Sequence, residues 1–366
     1  MARNPAHELL TVPDADDAAR RGFVLALKLH LQLLRPQIRA LYENEIKTRE
    51  NETAGEISDG LYQNEKYRAI CSIRRIAQEM MWQCVSSPIE RNAETLSDKF
   101  QYYASRKDKA GTLILNPDVE IPESLSRVDV HLQPGGYLRN ESGRDVLAGA
   151  LYEAGGALYS QGQNIGTRES KANVIMRYID ARYPGFEPDR ILDIGCSAGA
   201  SSVPYAEAFP HTEIHAVDVS AAMLRYAHAK AEAMGAAVHF HQMNAVDMAF
   251  PDASFDLIVS HNTMHEMSDE TRQKMFAEGR RLLRPGGICI HQDIPLRFNR
   301  LDEFLQAEYS YDQWFNAEPH WLEYARCDCE EMMLRAGFAR EDIRAESLKQ
   351  SDSSFSWYAV TGIKPA

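Results

Sequence analysis

The sequence predicts an α/β fold, a mostly parallel sheet flanked by helices and preceded by a mainly helical N-terminal domain. Three observations lead there. From residue 166 onward, short apolar runs alternate with amphipathic helical stretches, the grammar of parallel strands joined by crossover helices. Before that point, apolar residues recur mainly at three- and four-residue spacing. A length of 366 residues leaves room for two domains, divided here at 1–164 and 165–366.

In the first part, residues 16–50 read as helix, with Phe23, Leu27, Leu31, Leu34, Ile38 and Leu41 as its buried stripe and Pro36 kinking or restarting it. Residues 51–60 read as a polar loop. A second helix carries Tyr67, Ile70, Ile73, Ala77, Met80, Met81 and Cys84 on its apolar side and is expected to end at Pro88, with a further helix over 90–106. Thr112–Leu115 is a short strand candidate. Val128–Leu138 reads as a strand entering a tight turn at Pro134-Gly135-Gly136-Tyr137. Such a domain serves as a lid, a dimerisation surface or both. The leucine-rich first helix suits a homodimer, and intrachain packing explains the same stripe.

The second part orders itself as helix 168–182, strand 190–194, helix 201–209, strand 211–217, helix 220–234 and strand 237–242. Strand 255–260, helix 268–283 and strand 287–292 follow. A helical insertion at about 300–337, holding Tyr309, Tyr311, Trp314, Phe315, Trp321 and Tyr324, is expected over a substrate pocket. Two tail strands, about 342–349 and 355–363, bring the sheet to seven.

Composition narrows the function. Fifty-three acidic against 40 basic residues leave a net charge of −13, which repels phosphate backbones, and only short basic patches occur. A small-molecule partner is therefore expected, and no nucleic acid. No apolar run approaches the roughly 18–20 residues of a membrane helix. The first 20 residues lack a basic head followed by an apolar core, so cytoplasmic residence is expected, with no membrane partner. Of the six cysteines only Cys327 and Cys329 are closely spaced, and no second pair completes a zinc site.

The most informative segment is Ile191-Leu192-Asp193-Ile194-Gly195-Cys196-Ser197-Ala198-Gly199-Ala200. A buried strand ends in an acid, and a glycine-bearing turn then opens a helix. A pyrophosphate-binding turn wants G-x-G-x-x-G, yet Ser197 takes the second glycine position and a carboxylate that would repel pyrophosphate stands before the first. That carboxylate suits the amino group of an amino-acid moiety instead. The segment resembles motif I of the class I S-adenosylmethionine-dependent methyltransferases.

The resemblance continues in order. Asp218 closes His215-Ala216-Val217-Asp218, 23 residues after Gly195, where the family binds both ribose hydroxyls. Met243-Asn244-Ala245 resembles the adenine loop, with Asn244 where the family usually has Asp; an amide oxygen still accepts from an amino group. Pro251–Ser260 and Leu282–Gly287 match the fourth strand and the turn before the fifth. The resemblance implies a Rossmann-like sheet, methyl transfer from S-adenosyl-L-methionine, and cofactor contacts from Asp193, Gly195, Cys196, Ser197, Gly199, Asp218, Val219, Met223, Asn244, Ala245 and Ser260. Gln163, in the polar segment before motif I, is expected to close over the methionine end. A non-catalytic S-adenosylmethionine-binding scaffold is the alternative.

Past the fourth strand comes His261-Asn262-Thr263-Met264-His265-Glu266-Met267-Ser268, similar to the segment bearing the catalytic histidine of plant-type small-molecule O-methyltransferases. His265 is the candidate base, with His261 beside it; a helix-start role for His265 is the structural counterpart. A transition-metal site built from His261, His265, His291 and Asp293 at one sheet edge lacks tight ligand spacing, and no metal is expected.

Overall fold

The computed structural model describes residues 7–163, 165 and 169–365. Its helices are α1 (Ala15–Gln32), α2 (Arg35–Leu41), α3 (Ala54–Gln63), α4 (Glu65–Arg91), α5 (Ala93–Ser105), α6 (Glu123–Arg127), α7 (Leu147–Gly162), α8 (Lys171–Arg182), α9 (Ser202–Ala208), α10 (Ala221–Met234), α11 (Asp269–Leu282), α12 (Glu303–Phe315), α13 (Trp321–Arg326) and α14 (Cys329–Arg335). The strands are β1 (Thr112–Ile114), β2 (Arg190–Ile194), β3 (Glu213–Asp218), β4 (Val238–Gln242), β5 (Phe255–His261), β6 (Leu283–Asp293), β7 (Ile343–Lys349) and β8 (Ser356–Ile363).

The strands form one eight-stranded sheet in the order β1-β4-β3-β2-β5-β6-β8-β7, one strand more than expected. The extra strand is β1, which pairs in parallel with β4 through Thr112–His239 and Ile114–His241. The N-terminal segment is thus woven into the sheet's edge. β8 alone runs antiparallel, to both β6 and β7. The chain winds outward from β2 to β4 and returns to lay β5 against β2. Ligands of such sheets gather where the winding reverses, beyond the C-terminal ends of the strands. Here that crevice lies past Ile194 and His261.

Alternating burial along the strands is lost, because helices cover both faces. Ile191, Leu192, Leu257, Ile258, Ile288 and Cys289 are all buried, as a doubly covered parallel sheet requires. α10 is the most enclosed helix, with Ala222 through Glu232 all buried. It is caught between β4 on one side and α5 and α7 on the other. Its alanines permit that double contact. Helix α7 approaches α4 closely because Gly155 has no side chain, and a Cβ there would meet the Trp82 ring at 2.4 Å.

Several local expectations needed correction. Phe23 is exposed, and α1 instead buries Val24 and Lys28, the lysine against Gln78 and the Tyr159 ring. The polar stretch after residue 51 is largely helix α3, started by a capping box in which Thr53 and Glu56 satisfy each other's backbone amides. Pro88 sits inside α4, which continues to Arg91. The carbonyl it leaves without a helical partner, that of Cys84, accepts from Arg21 Nε at 3.5 Å. Val128–Leu132 is no strand: Val130–Leu132 is a single 3-10 turn. Among the described residues no helix is long and apolar enough to cross a membrane.

The 300–337 insertion is three helices, and it ties the two halves together. α12 packs on α3 and α4, with Arg74 2.8 Å from Glu308 and its guanidinium 3.8 Å above the Tyr311 ring. α13 turns Trp321 and Tyr324 into the core beside β5 and β6, whereas Trp314 is exposed.

Candidate active site

One cavity runs from the end of β3 to the N-terminal segment. Gly195, Ser197, Asp218, Val219, Met223, Asn244 and Ala245 line one half; His131, Tyr137, Tyr159, His265, Glu266, Glu318 and Trp321 line the other.

The first half is built on backbone. Gly195 has φ +70°, and a Cβ there would stand 2.6 Å from Thr263 Oγ1, so only glycine lets the turn close. Ser197, at φ +47°, donates its amide to Asp218 Oδ2 at 2.9 Å, and the Ser220 amide donates to Oδ1 at 2.8 Å. Burial raises the Asp218 carboxyl while these amides draw it back down. The carboxylate is thereby held rigidly at the cavity wall. Asn244 donates Nδ2 to the Glu120 carbonyl at 3.1 Å, and its Oδ1 accepts the Val246 amide at 3.2 Å.

Asp193 lies behind that wall. Ser201 and Ser202 each donate a hydroxyl to its Oδ2 at 2.6 Å, while its buried Oδ1 has no partner. Burial pushes the carboxyl up to about 6 against those two donors. Cys196 is buried and borders an adjoining cleft with Ser201 and Lys171. Gly199 faces Ala227. The Ser260 hydroxyl is 2.8 Å from His291 Nδ1, turned into the sheet. Gln163 accepts from Gln32 at 2.9 Å and borders a separate small cavity; its neighbours Asn164 and Gly166 fall outside the described residues.

The second half is built on histidine and carboxylate. His265 follows β5 on a 3-10 turn, and its Nδ1 lies 2.6 Å from Asp293 Oδ1 at the end of β6. The His265 and Ile294 amides also donate to Asp293, at 3.2 and 2.7 Å. Burial alone would strip the proton from His265, but Asp293, Glu266 and Glu318 outweigh it and lift the imidazole to about 9. Glu266 accepts the Tyr137 hydroxyl at 3.0 Å.

His131 arrives from the N-terminal segment. It and Leu132 occupy the left-handed region, at φ 55° and 60°. That strain is held by α4: Gln78 and Trp82 both donate to the His131 carbonyl, at 3.0 and 2.6 Å. The ring then sits with Nδ1 2.9 Å from Glu318 Oε1 and Nε2 3.4 Å from Glu266 Oε1. Burial is again outweighed, here by Glu318 and Glu266, and His131 titrates well above its ordinary range. Glu318 follows a second strained residue, Ala317 at φ 56°, and is clamped by Asn316 Nδ2 at 2.8 Å.

His261 does not join this group. Its ring is buried between the Tyr205 hydroxyl at 3.1 Å and Gln292 Oε1 at 2.8 Å, and burial drives it down to about 3. His291 is engaged by Ser260 and, at 2.9 Å, by Cys289. The sheet-edge cluster of His261, His265, His291 and Asp293 is therefore not formed; only His265 and Asp293 meet. Sequence reasoning missed His131 and Glu318, which lie 134 and 53 positions from His265 and share no local motif with it. It also missed Lys171, half-buried at the cavity wall 5.5 Å from the Trp357 ring, where desolvation lowers its amine to about 8.

Residues 191–287 match the family described as methyltransferase domain. Residues 191–287 thus form a methyltransferase domain on a Rossmann-like sheet, a kind of domain that takes its methyl group from S-adenosyl-L-methionine. The residues present fit it: a rigid carboxylate for vicinal hydroxyls in Asp218, a glycine turn that lets the ligand approach the backbone at Gly195, and apolar walls from Met223 and Ala245. The demethylmenaquinone methyltransferase of Thermus thermophilus is 32% identical over 108 residues, 30% of this chain and 48% of that protein. An O-methyltransferase of Aspergillus nomiae is 31% identical over 152 residues, 41% of this chain and 65% of that one. Among solved structures, Haemonchus contortus phosphoethanolamine N-methyltransferase 2 with S-adenosyl-L-methionine aligns at TM-score 0.41 and 19% identity over 52% of each chain. The chain spans less than half the length of most curated relatives it matches.

Proposed function

We propose that this protein transfers a methyl group from S-adenosyl-L-methionine to a small molecule held between His131, Tyr137, His265, Glu266 and Glu318. The observation that carries the reading is the continuity of the cavity, which joins the Asp218 wall to the histidine–carboxylate group without a barrier. The cofactor supplies a sulfonium-activated methyl carbon. Asp218 is assigned the ribose hydroxyls, Asn244 and Ala245 the adenine edge, and Asp193, buried behind the wall, the bracing of the turn that meets the amino-acid end. Holding an acceptor at the other half, in line with that carbon, provides most of the acceleration.

His265 is assigned the acceptor's side of the reaction. Asp293 fixes its Nδ1, so Nε2 is the nitrogen left to face the acceptor. Once neutral, that nitrogen can receive the proton of an O–H or N–H acceptor. Acidic net charge and enclosure by the N-terminal segment and the insertion both favour a compact substrate over a polymer. Incubation with methyl-labelled cofactor and a fractionated cell extract tests this. Label is expected in the small-molecule fraction; label in RNA or protein overturns the substrate class, and cofactor binding without any transfer leaves a scaffold.

A further inference from the structure

We propose that His131, His265 and Glu266 form a binding site for one divalent transition-metal ion of the zinc, cobalt or iron(II) type. Donor atoms from the three side chains lie within 4.8 Å of one another. Glu266 Oε1 stands 3.4 Å from His131 Nε2 and 3.6 Å from His265 Nε2. Bonds of about 2.0–2.1 Å in a tetrahedral shell place neighbouring donors about 3.4 Å apart. The two edges that meet at Glu266 are thus already close to those of such a shell.

The surroundings point the same way. A metal-binding imidazole characteristically rests its other nitrogen on a carboxylate, which sets the tautomer and leaves a lone pair on the nitrogen that binds. Both histidines have this support: His265 Nδ1 on Asp293 at 2.6 Å, and His131 Nδ1 on Glu318 at 2.9 Å. The strained turn at His131, held by Gln78 and Trp82, aims the ring at Glu266 across the boundary between the N-terminal segment and the sheet. Glu318 Oε2 is buried without a partner beside the group, an acceptor available to a donor on the ion's remaining positions. Two imidazoles and one carboxylate make a donor set with positions left open, and all three residues line the cavity. The site needs no cofactor, and an ion on His265 Nε2 occupies the lone pair that would otherwise take the acceptor's proton, so metal binding and proton removal by His265 are alternative states of one nitrogen.

The full chain, freed of metal by a chelator and desalted, is titrated with Co²⁺ by absorption and with Zn²⁺ by calorimetry. One equivalent per chain is expected, with the visible bands of cobalt in a nitrogen–oxygen shell. His131→Asn, chosen because asparagine tolerates the left-handed turn, and Glu266→Gln are each expected to weaken binding at least about 100-fold. Glu318→Gln is expected to weaken it about 10- to 100-fold through the second nitrogen of His131. His261→Gln, outside the group, should bind as wild type does. Thermal unfolding of each variant confirms that it is folded. Absence of a bound equivalent in the wild type overturns the proposal, as does full retention in either folded His131→Asn or folded Glu266→Gln.

Discussion

His131 Nδ1 lies 2.9 Å from Glu318 Oε1, joining a residue of the helical N-terminal segment to one of the C-terminal insertion above the end of the sheet. Neither residue lies in the stretch 191–287 that matches the methyltransferase domain, yet together they close the cavity opposite Asp218. Each is presented by a left-handed backbone residue, His131 itself and Ala317. Strain of about 1–3 kcal/mol per site persists only where the surroundings impose it. The pairing marks where the two outer parts of the chain contribute to chemistry.

Glu318→Gln should therefore lower kcat by about tenfold or more while the cofactor dissociation constant changes little, since the residue touches only the acceptor half. Single-turnover kinetics beside calorimetry with S-adenosylhomocysteine would measure both. A parallel loss of cofactor affinity would mean that the residue supports the whole cavity.

Asp218→Ala should act on the other half. Charge-assisted hydrogen bonds are worth roughly 1.5–3 kcal/mol, so cofactor affinity should fall about tenfold to a hundredfold. Unchanged affinity in a folded variant would remove the ribose assignment.

Asp193 carries a pH signature. Its carboxyl titrates about 6 in the folded protein against 3.8 when free. Between those values the folded state holds the extra proton, so cofactor-free stability falls as pH rises from about 4 to about 6. A two-unit shift corresponds to about 3 kcal/mol. Asp193→Asn should lack that fall and melt higher than wild type above pH about 6, while binding cofactor more weakly. Denaturation of both proteins across that window checks the claim; coincident pH profiles would refute it.

His265 and His261 should separate cleanly. His265→Ala removes the nitrogen that faces the acceptor and should cut turnover by about a hundredfold or more. His261→Ala strands the Tyr205 hydroxyl and Gln292 inside the protein, at about 1–3 kcal/mol of stability, with turnover per folded molecule nearly unchanged. Chemical denaturation and steady-state rates on both variants distinguish a reacting residue from a packing one.

Removing residues 1–164 should yield an insoluble or molten fragment rather than a minimal cofactor-binding domain. α10 would lose its cover from α5 and α7, and β4 its neighbour β1. An exposed strand edge beside a bared alanine-rich helix favours aggregation. A soluble fragment with a cooperative unfolding transition would show the sheet to be self-sufficient.

The sequence alone determined the parallel core and its ligand-binding turn, because both rest on local chemistry. The strands β2 through β6 announce themselves as apolar runs between helices, and the turn at Gly195 needs glycine whatever surrounds it. The capping box at Thr53 and Glu56 is equally local, but the polar composition of 51–60 masks the helix it opens. What tertiary structure decided is which distant residues meet. β1 became an edge strand only because β4 offered it a free row of backbone groups. Phe23 rather than Val24 faces solvent because α4 and α7 set the orientation of α1, which its evenly spaced leucines left open. His261 and His265, four positions apart, diverged because β5 ends between them, carrying one ring into the sheet and the other into the cavity. His131 reached His265 through a strained turn braced by side chains of α4, and Glu318 through one clamped locally by Asn316, and no periodicity or spacing encodes such a convergence.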